Sequence, residues 1–451
     1  MPQSPSESLV GHLQAGVASA AELETALEQS QSTVSRNLRQ LAVAGTVIRI
    51  GSTRGARYGM LRPIEGIGAK WPLRRIDAEG HVQMLGTLYS LSAAQFYFEP
   101  ASNLFAPAGV SRDLPYYLHD QRPAGFLGRA VPSRYPELHL PQRVIDWNDD
   151  HYLRYLTQHG SDAVSDLILG DRAFDQFLLM QTKRTIVGID DRETRYPQLA
   201  TTVMEGGSPG STAHGEHPKF AALIGSTSEP VHVLVKFSPP NNTAVGQRWS
   251  DLLVAEHIAH EVLGNAGLPA ARSRIECYGD RTYLEVVRFD RAGLDGRVGV
   301  TSLFAIDAEF YGKVDNWIDA ATRLRDDARI DAETCELVRL VATFGALIAN
   351  TDRHFGNLAF YDAYDGRYTI APVYDMLPML FAPEPGQVIA RIFQPPDPTS
   401  QTIRAYGRAR ALAVGYWRRC ANDPRIGPEF RAICGANGAA LDALPRTGAY
   451  K

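Results

Sequence analysis

One short segment constrains this chain more than any other. Asp352 and Asn357 lie five residues apart, directly after an apolar run from Val338 to Ile348 that predicts a buried helix. Two short runs of strand-forming residues, separated by a turn, come next, and Asp375 follows them. We therefore expect a hairpin to bring two carboxylates and one amide to a single place.

This combination of side chains suits phosphoryl transfer. One carboxylate must accept the proton of a substrate hydroxyl, while an amide oxygen and a second carboxylate hold Mg²⁺ with hard oxygen ligands. The catalytic loop of protein kinases has the same separation between Asp and Asn. A polar loop that uses Asp and Asn only to turn is the simpler alternative.

A lysine and a glutamate upstream favour the kinase interpretation. Lys236 ends the strand-forming run that begins at Val231, and a buried strand rarely tolerates an unpaired ammonium group. The helix predicted over Ser250 to Ala266 carries Glu256 among inward-facing apolar residues. Their order resembles the strand lysine and helix glutamate of kinases. A lysine that snorkels from a strand end is the alternative.

Two weaker motifs fit the same series. Gly206 to Lys219 is rich in Gly and Ser, and glycines let backbone N–H groups approach phosphate oxygens. Tyr283 to Arg291 predicts a strand that turns into a polar loop, where a hinge could contact adenine. Each is ordinary by itself, so only the order of all four motifs gives them weight.

The first 62 residues predict a winged helix-turn-helix. Three helix patterns precede two short strand patterns around a glycine-containing turn; the second helix opens with the capping box Ser19-Ala-Ala-Glu22 and the third spans Ser32 to Ala44. Six arginines and no acidic residue lie between Ser30 and Arg62, in a chain of net charge −4. The alternative is a winged helix used only for protein contacts. The arginine bias favours DNA binding, through Ser32, Thr33, Ser35, Arg36, Arg39, Arg54 and Arg57.

Composition excludes several classes of protein. The 451 residues include 46 basic and 50 acidic ones, so the chain is not a wholesale polybasic nucleic-acid binder. No apolar run of about 18 residues and no signal peptide is present, which predicts a cytoplasmic protein without a membrane span. Four scattered cysteines argue against a zinc site or a disulfide framework.

Composition and motif order predict four domains. These are a winged helix-turn-helix (1–62), a small α/β subdomain (72–145), a kinase N-lobe with the phosphate loop and the ATP lysine (146–290), and a helical C-lobe with the catalytic loop (291–451). Val164 to Met180 is expected to be helical.

Three of the motifs resemble the HipA family of bacterial serine/threonine kinases, the toxin components of toxin–antitoxin systems. They are Asn350-Thr-Asp-Arg-His-Phe-Gly-Asn357, Pro372-Val-Tyr-Asp375 and Val287-Arg-Phe-Asp-Arg291. The fused N-terminal domain is similar to the YjjJ-type branch of that family. The resemblance implies an α+β, two-lobed HipA/protein-kinase-like fold with an N-terminal winged helix-turn-helix.

The resemblance also implies ATP and Mg²⁺, and a role for each matching residue. It makes Asp352 the catalytic base and Asn357 and Asp375 the Mg²⁺ ligands. It implies a cellular protein substrate, for which a translation-related protein is plausible, and a possible antitoxin. The implied ATP-binding residues are Lys236, Glu256, Val287, Phe289, Ser211, His214 and Gly215, and the implied autophosphorylation site is Ser211 or, second, Ser208.

Two other functions remain open at the level of sequence. One is a DNA-binding regulator with a degenerate kinase-like body that only senses a nucleotide. The other is a metal-dependent nuclease, because Asp352, His354 and Asp375 could hold a metal beside a basic DNA-binding domain.

Overall fold

The computed structural model describes residues 5–52, 55–102, 109–206 and 217–445. Five of the predicted site residues lie outside the described residues: Arg54, Ser208, Ser211, His214 and Gly215. The described chain is a mixed helix and sheet structure.

The first unit packs three helices on a three-stranded antiparallel sheet of order β1-β3-β2. The predicted capping box is confirmed, since the Ser19 side chain accepts the amide of Glu22 and the Glu22 carboxylate accepts the amide of Ser19 at 2.7 Å. Leu9, Leu23 and Leu38 are buried between the helices. The elements are α1 (Pro5–Gln14), β1 (Ala18–Ser19), α2 (Ala20–Leu27), α3 (Gln31–Val43), β2 (Val47–Ile50) and β3 (Arg57–Met60).

The second unit is built on a five-stranded antiparallel sheet of order β7-β6-β5-β4-β8. Its elements are β4 (Lys70–Ile76), β5 (Val82–Leu91), β6 (Gln95–Pro100), β7 (Gly109–Ser111), α4 (Gly125–Arg129), α5 (Val131–Arg134), α6 (Asp149–His159), β8 (Leu167–Leu169) and α7 (Asp171–Thr182).

The strand β8 differs from the sequence prediction in two ways. It interrupts the helix expected over Val164 to Met180, because Gly170 takes a positive φ of 88° and lets the chain turn from strand into α7. It also pairs with β4, Leu169 opposite Leu73. The sheet therefore keeps α6, β8 and α7 with the second unit, whereas the predicted boundary at residue 146 assigns them to the N-lobe.

The third unit contains the sheet that carries Lys236, of order β12-β13-β11-β10-β9. The helix α9 begins at Ala244, earlier than the predicted start at Ser250, because the side chain of Thr243 accepts the amide of Gly246 at 3.0 Å and caps it. The elements are β9 (Ile186–Val187), α8 (Arg192–Met204), β10 (Lys219–Gly225), β11 (Pro230–Phe237), α9 (Ala244–Asn265), β12 (Ser273–Tyr278) and β13 (Arg281–Val287).

The fourth unit is mainly helical and contains the largest apolar core, in which Phe344, Tyr416 and Trp417 are fully buried. Its elements are β14 (Arg291–Ala292), β15 (Gly296–Arg297), β16 (Val300–Ser302), α10 (Leu303–Phe310), α11 (Trp317–Asp326), α12 (Ala332–Leu347), β17 (Ala359–Asp362), β18 (Tyr368–Ile370), α13 (Ile403–Asn422) and α14 (Pro428–Ala443). Within the described ranges, no helix has the length and apolar character needed to cross a bilayer.

An ion pair joins the first unit to the second and changes the charge argument. Arg62 donates to both carboxylate oxygens of Asp150, at 2.6 and 2.8 Å. One of the six arginines that made the N-terminal segment basic is therefore neutralised within the chain, and it was not among the predicted DNA contacts.

Candidate active site

The loop after α12 is held in place by Asn350, which is almost completely buried. Its Oδ1 accepts the backbone N–H of Asp352 at 2.9 Å, and its Nδ2 donates to the backbone carbonyl of Asp375 at 3.3 Å. Trp317 also ties the loop down, since its indole N–H donates to the carbonyl of His354 at 3.0 Å. These bonds fix the two carboxylate-bearing segments relative to each other, as the predicted hairpin requires.

Asp375 lies in an unusual backbone conformation. Its φ is 51°, in the left-handed region that non-glycine residues rarely adopt, although Asp tolerates it better than most. Residues in this region are strained and are held by their surroundings. Here the Asn350 side chain and the pairing of β17 with β18 supply that constraint.

Lys236 lies at the centre of the cleft and connects its two halves. Its Nζ donates to both carboxylate oxygens of Glu256, at 2.7 and 2.8 Å, and to Asp375 Oδ1. Burial alone would lower the pKa of Lys236, but the carboxylates of Asp375 and Glu256 outweigh it and raise that pKa. The lysine is therefore fully charged and bridges the sheet, α9 and the segment that follows β18.

The two carboxylates respond differently to this lysine. Burial raises the pKa of Glu256, which is fully buried, more than Lys236 lowers it. Burial would also raise the pKa of Asp375, but Lys236 and Lys219 together lower it to about 2. Asp375 is thus an ionised carboxylate in a partly buried position, which suits a metal ligand.

Asp352 lies beside this cluster and reaches solvent. Its side chain is about 50% exposed, and Nδ2 of Asn357 donates to its backbone carbonyl at 2.8 Å. Burial raises the pKa of Asp352, His354 opposes that rise, and Asp375 adds to it. A carboxylate with a raised pKa at the mouth of a cleft is suited to accept a proton.

A single cleft contains most of the predicted residues. Lys236, Glu256, Asn357 and Asp375 all line it. The backbone N–H of Val287 is bonded to the carbonyl of Arg272 at 2.8 Å, and its side chain packs with Val233 on the face of the sheet opposite Lys236, so Val287 borders the cleft with its backbone. Apolar residues complete much of the lining: Leu234, Val286, Val287, Phe289, Val300 and Ala359.

The structure adds residues that the sequence analysis did not place in the site. Lys219 stands directly opposite Lys236 in the pairing of β10 with β11 and is almost completely buried; burial lowers its pKa to about 8. The sequence analysis named Lys219 only as the last residue of the segment rich in Gly and Ser. Asp120 also lines the cleft and accepts the amide and the hydroxyl of Ser302, both at 2.6 Å, and no motif pointed to it.

The described residues among the predicted DNA contacts lie on α3 and β3, and none of them lines this cleft. Arg36 and Arg39 are exposed on α3, as are Ser32 and Ser35, and Thr33 is partly exposed. Arg57 is exposed on β3, and one of its N–H groups donates to the carbonyl of Val17 at 2.7 Å.

The donor set fits Mg²⁺ and a triphosphate. Asn357 and Asp375 offer hard oxygens, Lys219 and Lys236 offer two cations, and the apolar walls provide a slot for a planar ring. The backbone strain at Asp375 lies at the residue that would bind the metal.

Family comparisons agree with this geometry. Residues 67–178 match the model of the YjjJ-like toxin middle domain, and residues 211–435 match that of the HipA-like C-terminal domain. Toxin YjjJ of Escherichia coli (strain K12) is 35% identical over 425 residues, which cover 93% of each chain. The chain belongs to the YjjJ-like toxin family. The predicted membership of the HipA-like toxins, in the YjjJ-type branch, is thus confirmed.

A solved structure shows that the YjjJ-like chain shares the HipA fold. It is HipA of Shewanella oneidensis MR-1, from a complex of that toxin–antitoxin system with HipB and its operator DNA. It matches with a TM-score of 0.52 and 14% identity, over 82% of this chain and 95% of that one. The predicted α+β, HipA-like fold class is confirmed.

Proposed function

We propose that the chain is a toxin that acts as an ATP- and Mg²⁺-dependent protein serine/threonine kinase. The observation that supports this most strongly is the bridge from Lys236 to Glu256 and Asp375, with Asn357 in the same cleft and Asp352 at its edge. A paired lysine, a metal-binding pair and a proton acceptor are the parts that phosphoryl transfer needs.

The side chains divide the work by position. Lys236 and Lys219 hold the phosphates, and Glu256 keeps Lys236 oriented toward them. The apolar walls, with Val287 and Phe289 among them, accept the adenine. Asn357 and Asp375 hold Mg²⁺, which when bound neutralises charge on the phosphates.

Asp352 accepts the proton of the substrate hydroxyl. Its exposure allows a protein side chain to reach it. A groove of about 740 Å³ opens beside it and shares Asp120, Ser302 and Gly356 with the ATP cleft. We infer that the protein substrate enters through this groove and that the loop serine, Ser211 or Ser208, is an autophosphorylation site.

Phosphoproteomics after induced expression tests this function in cells. Wild type and Asp352→Asn are compared at matched protein levels. We expect phosphoserine or phosphothreonine sites that depend on Asp352, in a cellular protein and in the segment 206–219 of the toxin. Identical phosphopeptides in both samples would exclude kinase activity, and DNA breaks that depend on Asp375 would favour the nuclease instead.

We also propose that the first unit is a winged helix-turn-helix that binds DNA, with an antitoxin as a possible further partner and the cytoplasm as the location. The support is the exposed cationic face of α3, where Arg36 and Arg39 sit on one side, opposite the buried Val34 and Leu38. The recognition helix of such a domain lies in the major groove with its exposed residues toward the DNA.

Replacing two arginines tests the DNA interface. The variant Arg36→Ala/Arg39→Ala should weaken binding and reduce the slope of log affinity against log salt by about 2, because each phosphate contact contributes close to 1. Gel shifts or fluorescence anisotropy on genomic fragments at several salt concentrations measure the slope. Arg195→Ala, at an exposed arginine of α8, is the matched control and should leave the slope unchanged. An unchanged slope in the double variant would refute the proposed interface.

A further inference from the structure

A second cavity lies behind the strand that borders the ATP cleft. It has a volume of about 420 Å³ and is enclosed by the C-terminal half of α7, by β10 and by the turn that joins β14 to β15. Arg288 lines both spaces. We refer to this second space as the rear cavity.

The rear cavity is unusually basic. Among the described residues that line it, five carry a positive charge and two carry a negative one. Arg184 pairs with Asp295 at 2.5 Å. The basic side chains are Lys183, Arg184, Arg288, Arg291 and Arg297, and the acidic ones are Asp162 and Asp295.

Pairing among the described residues leaves two cations over, the buried Arg297 and the exposed Lys183. Arg288 and Arg291 both bind Asp162, at 3.3 and 3.0 Å, and both bind Asp290, at 2.8 and 2.6 Å. The two guanidinium groups therefore neutralise the two carboxylates, and the net charge of these four residues is zero. Arg297, next to them, has to find its partners elsewhere.

Arg297 is buried and incompletely satisfied. Its Nη2 donates to the carbonyl of Ser161 at 2.5 Å, and its guanidinium carbon lies 4.9 Å from the ring centre of Phe177. Its Nη1 has no hydrogen-bond partner in the described part of the chain. Burial and the neighbouring Arg291 lower the pKa of Arg297 to about 9. A buried guanidinium without a counter-ion is costly, and an anion would relieve that cost.

The rear cavity also contains a histidine whose pKa is lowered. Burial, Arg291 and Arg288 lower the pKa of His232, which also lines the cavity, to about 4. His232 is therefore neutral near pH 7, and the excess positive charge of the cavity comes from Arg297 and Lys183. Guanidinium groups bind phosphate oxygens with charge-assisted hydrogen bonds.

The mouth of the cavity is apolar. Leu179 and Met180, on α7, are 51% and 45% exposed, and Leu223 and Leu294 continue the same wall. Exposed apolar side chains beside a cavity of this size are typical of a small-molecule site. A free inorganic anion would leave this wall without a function.

We propose that the rear cavity binds a small phosphate ester with an apolar body, its phosphate held by Arg297 and Lys183 and its body packed against Leu179, Met180 and Leu223. The occupant is distinct from the ATP of the proposed reaction. The proposal does not depend on kinase activity.

Calorimetric titration with two probes tests the site. The full-length protein is first saturated with a non-hydrolysable ATP analogue and Mg²⁺, so that the ATP cleft is filled. We expect 1-naphthyl phosphate to bind with a stoichiometry of one, and inorganic phosphate to bind at least about tenfold more weakly because it lacks the apolar body. No binding of 1-naphthyl phosphate at millimolar concentration would overturn the proposal.

Charge variants show whether 1-naphthyl phosphate binds in the rear cavity. They do so even if the ATP analogue does not fill the ATP cleft. Arg297→Met should weaken 1-naphthyl phosphate at least about tenfold. Lys183→Glu, at an exposed lysine of the same cavity, should also weaken binding and keeps the test valid if Arg297→Met does not fold. The matched control is Lys70→Glu, at an exposed lysine of β4. Equal affinity in wild type and Lys183→Glu, or an equal loss in Lys70→Glu, would overturn the proposal.

Discussion

Replacing Asp352 with Asn should lower the rate of phosphoryl transfer by about 10²- to 10⁴-fold, the usual contribution of a positioned general base. The Asn side chain has the same shape as that of Asp and can still lie beside Asn357. Its amide group cannot accept the substrate proton. Binding of ATP should change little, because Asp352 does not line the ATP cleft. The initial rate of transfer from γ-labelled ATP to the protein measures the effect.

The matched control for Asp352→Asn is Asp365→Asn, at an exposed aspartate in the turn between β17 and β18. It changes the same functional group by the same chemistry, outside the cleft. Phosphoryl transfer at the wild-type rate by Asp352→Asn would refute the assignment of Asp352 as the catalytic base. Loss of ATP binding together with transfer would instead indicate a structural role.

Replacing Lys236 with Met should cost about 3–5 kcal/mol of the free energy of unfolding and abolish transfer. The lysine is 7% exposed and bonds to Glu256, which is fully buried, and to Asp375. Without it, the fully buried carboxylate of Glu256 and the partly buried carboxylate of Asp375 lose their shared cation, and removing one partner of a buried ion pair is strongly destabilising. Urea unfolding followed by tryptophan fluorescence measures the loss.

The double variant Lys236→Met/Glu256→Gln separates this electrostatic cost from lost packing. It removes one of the two stranded carboxylates, so it should recover part of the stability without recovering activity. Lys313→Met, at an exposed lysine, should have almost no effect. If Lys236→Met lowers the free energy of unfolding by less than about 1 kcal/mol, the pair of Lys236 and Glu256 behaves like a solvent-exposed ion pair.

Local sequence patterns predicted the parts of the fold that short-range chemistry dictates. The capping box at Ser19 and the approach of Asp352 and Asn357 to Asp375 both depend on residues close in sequence, or joined by one hairpin. Hydrogen-bonding chemistry at these positions leaves few alternatives. The family resemblance rested on the same short motifs.

Features that depend on pairing between distant segments could not be predicted from the sequence. The apolar run Leu167–Leu169 is too short to distinguish a buried strand from a helix, and only its pairing with β4 decides. Lys219 enters the site through its register opposite Lys236. Asp120 enters through its bonds to Ser302, which is 182 residues away. None of these contacts leaves a periodic signal in the chain.

Calorimetric titration of a non-hydrolysable ATP analogue, with and without Mg²⁺, tests the central claim most directly. That claim is that Lys236, Asn357 and Asp375 form one nucleotide–metal site. We predict that the wild type binds the analogue more tightly with Mg²⁺, and that Asp375→Asn loses at least about tenfold of that Mg²⁺-dependent gain. Absence of binding to the wild type, or affinity that is the same with and without Mg²⁺, would contradict the claim.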